Sequence, residues 1–237
     1  MYSYYGLDWT YLLVLLGLAL TLGAQGYLKM MFARYSKVQS GTGLTGREVA
    51  ERILRSNGIY DVTVHPVAGQ LTDHYDPAKK TVNLSEVIYN STSIAAVGVA
   101  AHECGHAIQD DLSYFPLRFR HALVPLANLG SQLAMPIIII GVLLSNSRNL
   151  LGPQLLNLGL LAFSLAVLFQ LVTLPVEFNA SRRALIQLRE LNILPPREES
   201  QARSVLIAAA LTYVAGAASS LIQLLRLWIL FGGRKRK

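Results

Sequence analysis

Four long apolar runs, separated by polar stretches of very unequal length, set the plan of the chain. Trp9 to Leu28 carries no charge and is dominated by leucine, and about 20 such residues suffice for a helix to cross the hydrocarbon layer of a bilayer. Tyr2, Tyr4, Tyr5, Trp9 and Tyr11 gather at its start as interfacial anchors, and Lys29 closes it. No basic segment precedes the run and Tyr27-Leu28-Lys29 is a poor cleavage site, so it reads as a retained membrane helix and not as a signal peptide. A second run, His121 to Ser147, lacks Asp, Glu, Lys and Arg and holds Pro136 before four isoleucines, which predicts a kinked membrane helix. After the polar turn Asn146-Ser147-Arg148-Asn149 a third uncharged run reaches Val176, so these two spans predict a membrane hairpin. Ser204 to Leu225 supplies the fourth span.

The only extended polar region lies between the first two spans. Ser40-Gly41-Thr42-Gly43 is a flexible connection. Thr45, followed three residues later by Glu48, then predicts a capping box, and Val49, Ile53 and Leu54 give the helix an apolar face that stops near Asn57-Gly58. Val62 to Val67 and Thr81 to Leu84 have strand character; Asp73, Asp76-Pro77 and Lys79-Lys80 between them read as a turn, so a small sheet is expected. His65 and His74 read as solvated residues of that sheet or turn. Ile94 to Ala107, rich in Ala, Gly and Val, predicts a buried helix in which Gly98, Ala101 and Gly105 admit a neighbouring backbone.

That helix carries His102-Glu103-Cys104-Gly105-His106. Histidines four residues apart on a helix share one face, one turn above each other, close enough to hold one metal ion. This is the HExxH arrangement of zinc hydrolases, in which two neutral imidazoles bind Zn²⁺ and the glutamate takes a proton from the attacking water. Cys104 falls nearly opposite His102 and reads as a packed thiol, not a ligand.

Composition sharpens this picture. With 52% hydrophobic and 15% charged residues among 237, the chain is too apolar for an ordinary soluble domain. The expected fold is mainly α: a polytopic membrane protein with about four transmembrane helices and a small α+β zincin-like metalloprotease region. Its expected parts are a first membrane helix (1–31), a cytoplasmic zincin-like region with the HExxH helix (32–120), a membrane hairpin (121–176), a juxtamembrane helix (177–203), and a fourth membrane helix with a basic tail (204–237). One cysteine excludes an internal disulfide. The net charge of +7 comes from basic residues that flank the spans and gather in Arg234 to Lys237, which points to anionic lipid and away from nucleic acid. A four-span topology puts fifteen of the 21 basic residues on one side, which is then cytoplasmic and holds the HExxH helix. The basic tail falls outside in that topology, against the rule.

Pro175 marks a place for a new helical segment, which Pro195-Pro196 stops, and on its apolar stripe sits Glu177. A buried carboxylate at the membrane boundary needs a partner, and zinc or an arginine serves. Arg182 and Arg183 read as membrane-surface or ion-pair residues, one of them a candidate to steady an oxyanion. Four stretches together carry a resemblance: Leu71 to Pro77, Ala101 to Ala107, Glu177 to Ala184, and Ala208 to Val214. In these the chain resembles the YugP-like neutral zinc metallopeptidases of bacteria over nearly its whole length, a family similar in plan to the HtpX-type membrane proteases and the CAAX prenyl endopeptidases. The resemblance implies a membrane zinc metalloendopeptidase with one Zn²⁺ per chain, acting on protein or peptide substrates associated with the membrane. It also implies that His102, His106 and Glu177 are the metal ligands and Glu103 the catalytic base. In those relatives the third ligand stands in a Glu-x-x-Ala-Asp pattern; Glu177 and Ala180 match, while Ser181 replaces the aspartate. Two other readings compete: an intramembrane metalloprotease, and a membrane scaffold that keeps zinc for structure alone. Thr81 to Leu84 is the candidate strand for pairing with an extended substrate.

Overall fold

The computed structural model describes residues 8–146 and 151–232; Tyr2, Tyr4 and Tyr5, the Ser147 to Asn149 part of the expected turn, and the tail from Arg234 to Lys237 lie outside them. The described chain is mainly α, with one small sheet. Its order is α1 (Tyr11–Tyr35), α2 (Gly46–Ser56), β1 (Thr63–Val67), β2 (His74–Asp76), β3 (Thr81–Ser85), α3 (Glu86–Tyr89), α4 (Ile94–Asp111), α5 (Phe115–Asn146), α6 (Leu151–Glu190) and α7 (Pro196–Leu227), closed by a π-helical turn at Trp228–Gly232. Among the described residues four helices are long and apolar enough to cross a membrane: Tyr11–Tyr35, Phe115–Ser145, Leu151–Glu190 and Pro196–Phe231.

The chain divides into two compact units. One comprises Met1–Ala24, Phe119–Thr173 and Tyr213–Lys237. Within it α5 and α6 meet through glycine: a Cβ built on Gly130 would stand 2.5 Å from the Ala162 carbonyl oxygen. Small residues of this kind let membrane helices approach closely where no hydrophobic effect drives them together. Arg226 near the end of α7 lies over the Tyr11 ring at 4.8 Å and donates to Thr10 Oγ1 at 3.2 Å, so the start of α1 and the end of α7 share one end of this unit.

The other unit comprises Gln25–Arg118 and Leu174–Thr212. Its first helix begins as the sequence predicts: Thr45 Oγ1 accepts from Glu48 N–H at 3.3 Å and Glu48 Oε2 accepts from Thr45 N–H at 2.8 Å, a complete capping box. Asn57 caps its far end, and Gly58 follows with φ +73°, where a side chain would be strained. Val49, Ile53 and Leu54 of α2, Val82 and Leu84 of β3, Val97 and Cys104 of α4, and Ala184 and Leu188 of α6 form one buried core. The sheet order is β1-β3-β2, with β3 parallel to β1 and antiparallel to β2.

Two expectations change here. Thr81 to Leu84 does not sit on a sheet edge: β3 is the central strand, its backbone paired on both sides, so it has no free hydrogen-bonding edge for a substrate. The open edge beside α4 belongs to β2, three residues that the sequence presents as a turn. Pro175, moreover, does not begin a helix. It lies inside α6, a single helix of 40 residues, about 60 Å long against a hydrocarbon layer of about 30 Å. Proline sacrifices one helical hydrogen bond, but Val176, Ala180, Ala184 and Leu188 are all fully buried and keep the segment beyond it in register. Pro196, by contrast, occupies the first turn of α7, where a missing N–H costs nothing.

At Gly105 the α6 backbone packs directly against α4. A Cβ there would stand 2.4 Å from the Ala180 carbonyl oxygen, a backbone atom that cannot step aside. Gly105→Ala should therefore push the two helices apart at a cost of about 1–3 kcal/mol, read as a lower thermal midpoint of the detergent-solubilised protein.

Candidate metal centre

The site is assembled from two helices and one short strand of a single unit. Ser93 caps α4, its Oγ accepting from Ala96 N–H at 3.2 Å, and the helix then runs unbroken through the HExxH segment. The His102 and His106 rings stack one turn apart, edge to face, with centroids 4.8 Å apart. Because Gly105 lets the α6 backbone in at Ala180, the residue one helical turn earlier, Glu177, faces both rings. Its Oε2 is 3.3 Å from His102 Nε2 and 3.5 Å from His106 Nε2, and all three candidate ligand atoms lie within 4.8 Å of one another.

The two carboxylate–imidazole distances, 3.3 and 3.5 Å, suit zinc. Ligand atoms about 2.0–2.1 Å from a tetrahedral ion stand about 3.3–3.4 Å from each other. Two imidazoles and a carboxylate leave a fourth position, the pattern of catalytic and not of structural sites. Both rings are also held from behind: His102 Nδ1 lies 3.1 Å from Ser181 Oγ, and His106 Nδ1 3.0 Å from Gln109 Oε1. Both Nε2 atoms are thereby turned to the same point. Glu177 is 3% exposed and His106 8%, so the cluster is withdrawn from bulk water.

Glu103 stands next to the candidate ligands but does not join them. Burial pushes its carboxyl up to about 7; the His102 ring opposes that shift, the Glu177 and Asp73 carboxylates reinforce it, and a hydrogen bond from the Tyr75 backbone N–H tempers it. Tyr75 belongs to β2, so the strand that the sequence hides is the one that touches the candidate base. β2 is itself pinned: Asp73 accepts from Ser85 N–H at 2.7 Å, and Asp110 of α4 accepts from Tyr75 Oη at 2.8 Å and Lys80 Nζ at 3.0 Å.

Other residues singled out from the sequence lie elsewhere. His65 Nε2 is 2.9 Å from Thr63 Oγ1, and His74 pairs with the Thr72 carbonyl and Asn83; both are exposed positions of the sheet, outside the ligand cluster. Cys104 is buried, with its Sγ toward the Ala50 carbonyl, and burial pushes its thiol up. Arg182 is exposed. Arg183 commits its Nε to Asn179 Oδ1 at 2.7 Å, with its guanidinium 6.0 Å from the Tyr114 ring centre. Gln109 and Asn179 carry no motif, although Gln109 sits three residues past His106 on the same helical face.

Residues 10–232 match a family model described as "Putative neutral zinc metallopeptidase". The chain is also 48% identical over 219 residues to the "Putative membrane protease YugP" of Bacillus subtilis (strain 168), an alignment that covers 92% of this chain and 95% of that protein. No solved structure matches the chain.

Proposed function

Since the chain belongs to the neutral zinc metallopeptidase family, we propose that it is a membrane zinc metalloendopeptidase in which His102, His106 and Glu177 hold one zinc ion and Glu103 is the general base. The observation that carries this reading is the convergence of His102 Nε2, His106 Nε2 and Glu177 Oε2 in a largely buried cluster beside Glu103. Zinc, when bound, supplies Lewis acidity that makes water a better nucleophile and polarises a carbonyl. Glu103 accepts the proton that water releases on attacking the peptide carbonyl, then delivers it to the departing nitrogen. A carboxyl held up to about 7 by burial suits both halves of that task.

β2 takes the role of substrate guide. It is an edge strand, paired within the sheet on one side only, and its Tyr75 N–H touches Glu103. The substrate is a protein or peptide at the membrane, because the site sits on a chain anchored by four apolar helices. The distribution of lysine and arginine supports a cytoplasmic site, the basic C-terminal tail alone running against the rule. α4 is not among the helices apolar enough to span, which favours chemistry outside the hydrocarbon over intramembrane cleavage.

Chelation tests this. The full chain in detergent should hydrolyse an unfolded protein such as casein; 1,10-phenanthroline should stop it, and added zinc should restore it. Hydrolysis that survives full removal of the metal would sink the proposal.

A further inference from the structure

Gln109 is fully buried, three residues beyond His106, and nothing in the chemistry above uses it. Its amide belongs to a line of hydrogen bonds whose direction can be read from end to end. Arg183 Nε donates to Asn179 Oδ1 at 2.7 Å, and a guanidinium only donates. The Asn179 oxygen is thus fixed in place, and it also accepts from Gln109 Nε2 at 3.0 Å. Gln109 Nε2 donates to the Val176 carbonyl as well, at 2.8 Å, a second group that only accepts. The Gln109 oxygen is left facing His106 Nδ1 at 3.0 Å. An amide oxygen cannot donate, so Nδ1 must carry the proton and, in the neutral ring, Nε2 keeps its lone pair. Nε2 is the atom that faces Glu177.

We infer that Gln109 is a positioning residue, itself set by Asn179 and Arg183, that locks His106 in the Nδ1–H tautomer and so presents Nε2 as a metal ligand. This rests on the reading of His106 as a ligand. The two histidines then differ in kind. His102 is backed by the Ser181 hydroxyl at 3.1 Å, which can donate or accept and therefore does not select a tautomer. His106 is backed by a chain that ends on a permanent cation. Partners of this sort orient a ligating ring and raise its basicity, and losing one typically costs roughly 10–100-fold in metal affinity.

The test uses the full chain in detergent with ¹⁵N-labelled histidine, first free of metal at pH 8 and then titrated with zinc against a competing chelator. Wild type should show His106 as a single Nδ1–H tautomer. Gln109→Met, similar in length but without an acceptor oxygen or amide donors, should show a mixture with the Nε2–H form and bind zinc roughly 10–100-fold more weakly. Should that variant fail to fold, Arg183→Met at a half-buried position serves instead. It releases Asn179 to turn over, and the same His106 signal should change with a several-fold loss of zinc affinity. A folded variant whose tautomer and zinc affinity both match wild type overturns the inference. A lower thermal midpoint with both unchanged would also overturn it, leaving Gln109 a simple tie between α4 and α6. If wild type binds no zinc at all the metal-centre reading fails, and the metal-free spectrum still decides the tautomer.

Discussion

Glu103→Gln should leave zinc bound and slow peptide hydrolysis by roughly 10²–10⁴-fold, the usual contribution of a positioned general base. The amide is nearly the same size as the carboxylate and can still accept from the Tyr75 N–H, so neither packing nor the ligand set changes. What disappears is the capacity to take a proton. The measurement is paired: zinc content by elemental analysis, and the initial rate of casein hydrolysis, for both proteins. Loss of activity with zinc retained separates a base from a ligand. A zinc-holding scaffold has no use for the base, so a variant that cleaves as fast as wild type removes Glu103 from the mechanism. The same residue sets a pH dependence. Burial pushes its carboxyl up to about 7, which disfavours the ionised form that catalysis needs, while a bound cation acts in the opposite direction. Activity should rise with pH as Glu103 loses its proton, with the acid limb of kcat/KM centred at or below 7, and the limb should vanish in the residual activity of Glu103→Gln.

Much of this arrangement is legible in the sequence because its signals are local. The capping box at Thr45 and Glu48 involves residues three apart, and the histidine pair involves one helical turn; a period of 3.6 is enough to read both. Glu177 is legible only in part. An acidic residue on an apolar stripe at the end of a long uncharged run asks for a partner, but which partner depends on how α6 packs, and that is decided 75 residues away by a glycine at 105 that lets Ala180 approach. Pro175 is the opposite case, a strong local signal overruled by the burial of Val176, Ala180 and Ala184 around it. β2 left almost no trace, since three residues cannot show an alternation, and missing it makes β3 look like an edge strand. Gln109 sat in view on the face of the histidines, yet its meaning lies in Asn179 and Arg183, some 70 residues on.

Glu177→Ala should reduce bound zinc from about one ion per chain to almost none after dialysis, and abolish hydrolysis with it. Two imidazoles one turn apart supply only two of the three protein ligands that a catalytic zinc site uses, and no other His, Cys, Asp or Glu among the described residues completes a cluster with them. The effect on the fold should run differently. Glu177 is 3% exposed, and a carboxylate withdrawn from water is stable only if an opposing charge compensates for its lost hydration. In the metal-free protein the His102 and His106 rings lie 3.3 and 3.5 Å from Glu177 Oε2, so the substitution removes these contacts together with a buried carboxylate, and the metal-free midpoint should fall only modestly. The zinc response is the sharper reading. A metal that binds the folded state alone raises its midpoint in proportion to the logarithm of metal concentration over Kd. Thermal unfolding of wild type should shift upward with added zinc, while that of Glu177→Ala stays flat. Equal shifts in the two proteins would place the metal elsewhere; a flat response in both, with wild type well folded, would mean that these three side chains meet for a reason other than zinc.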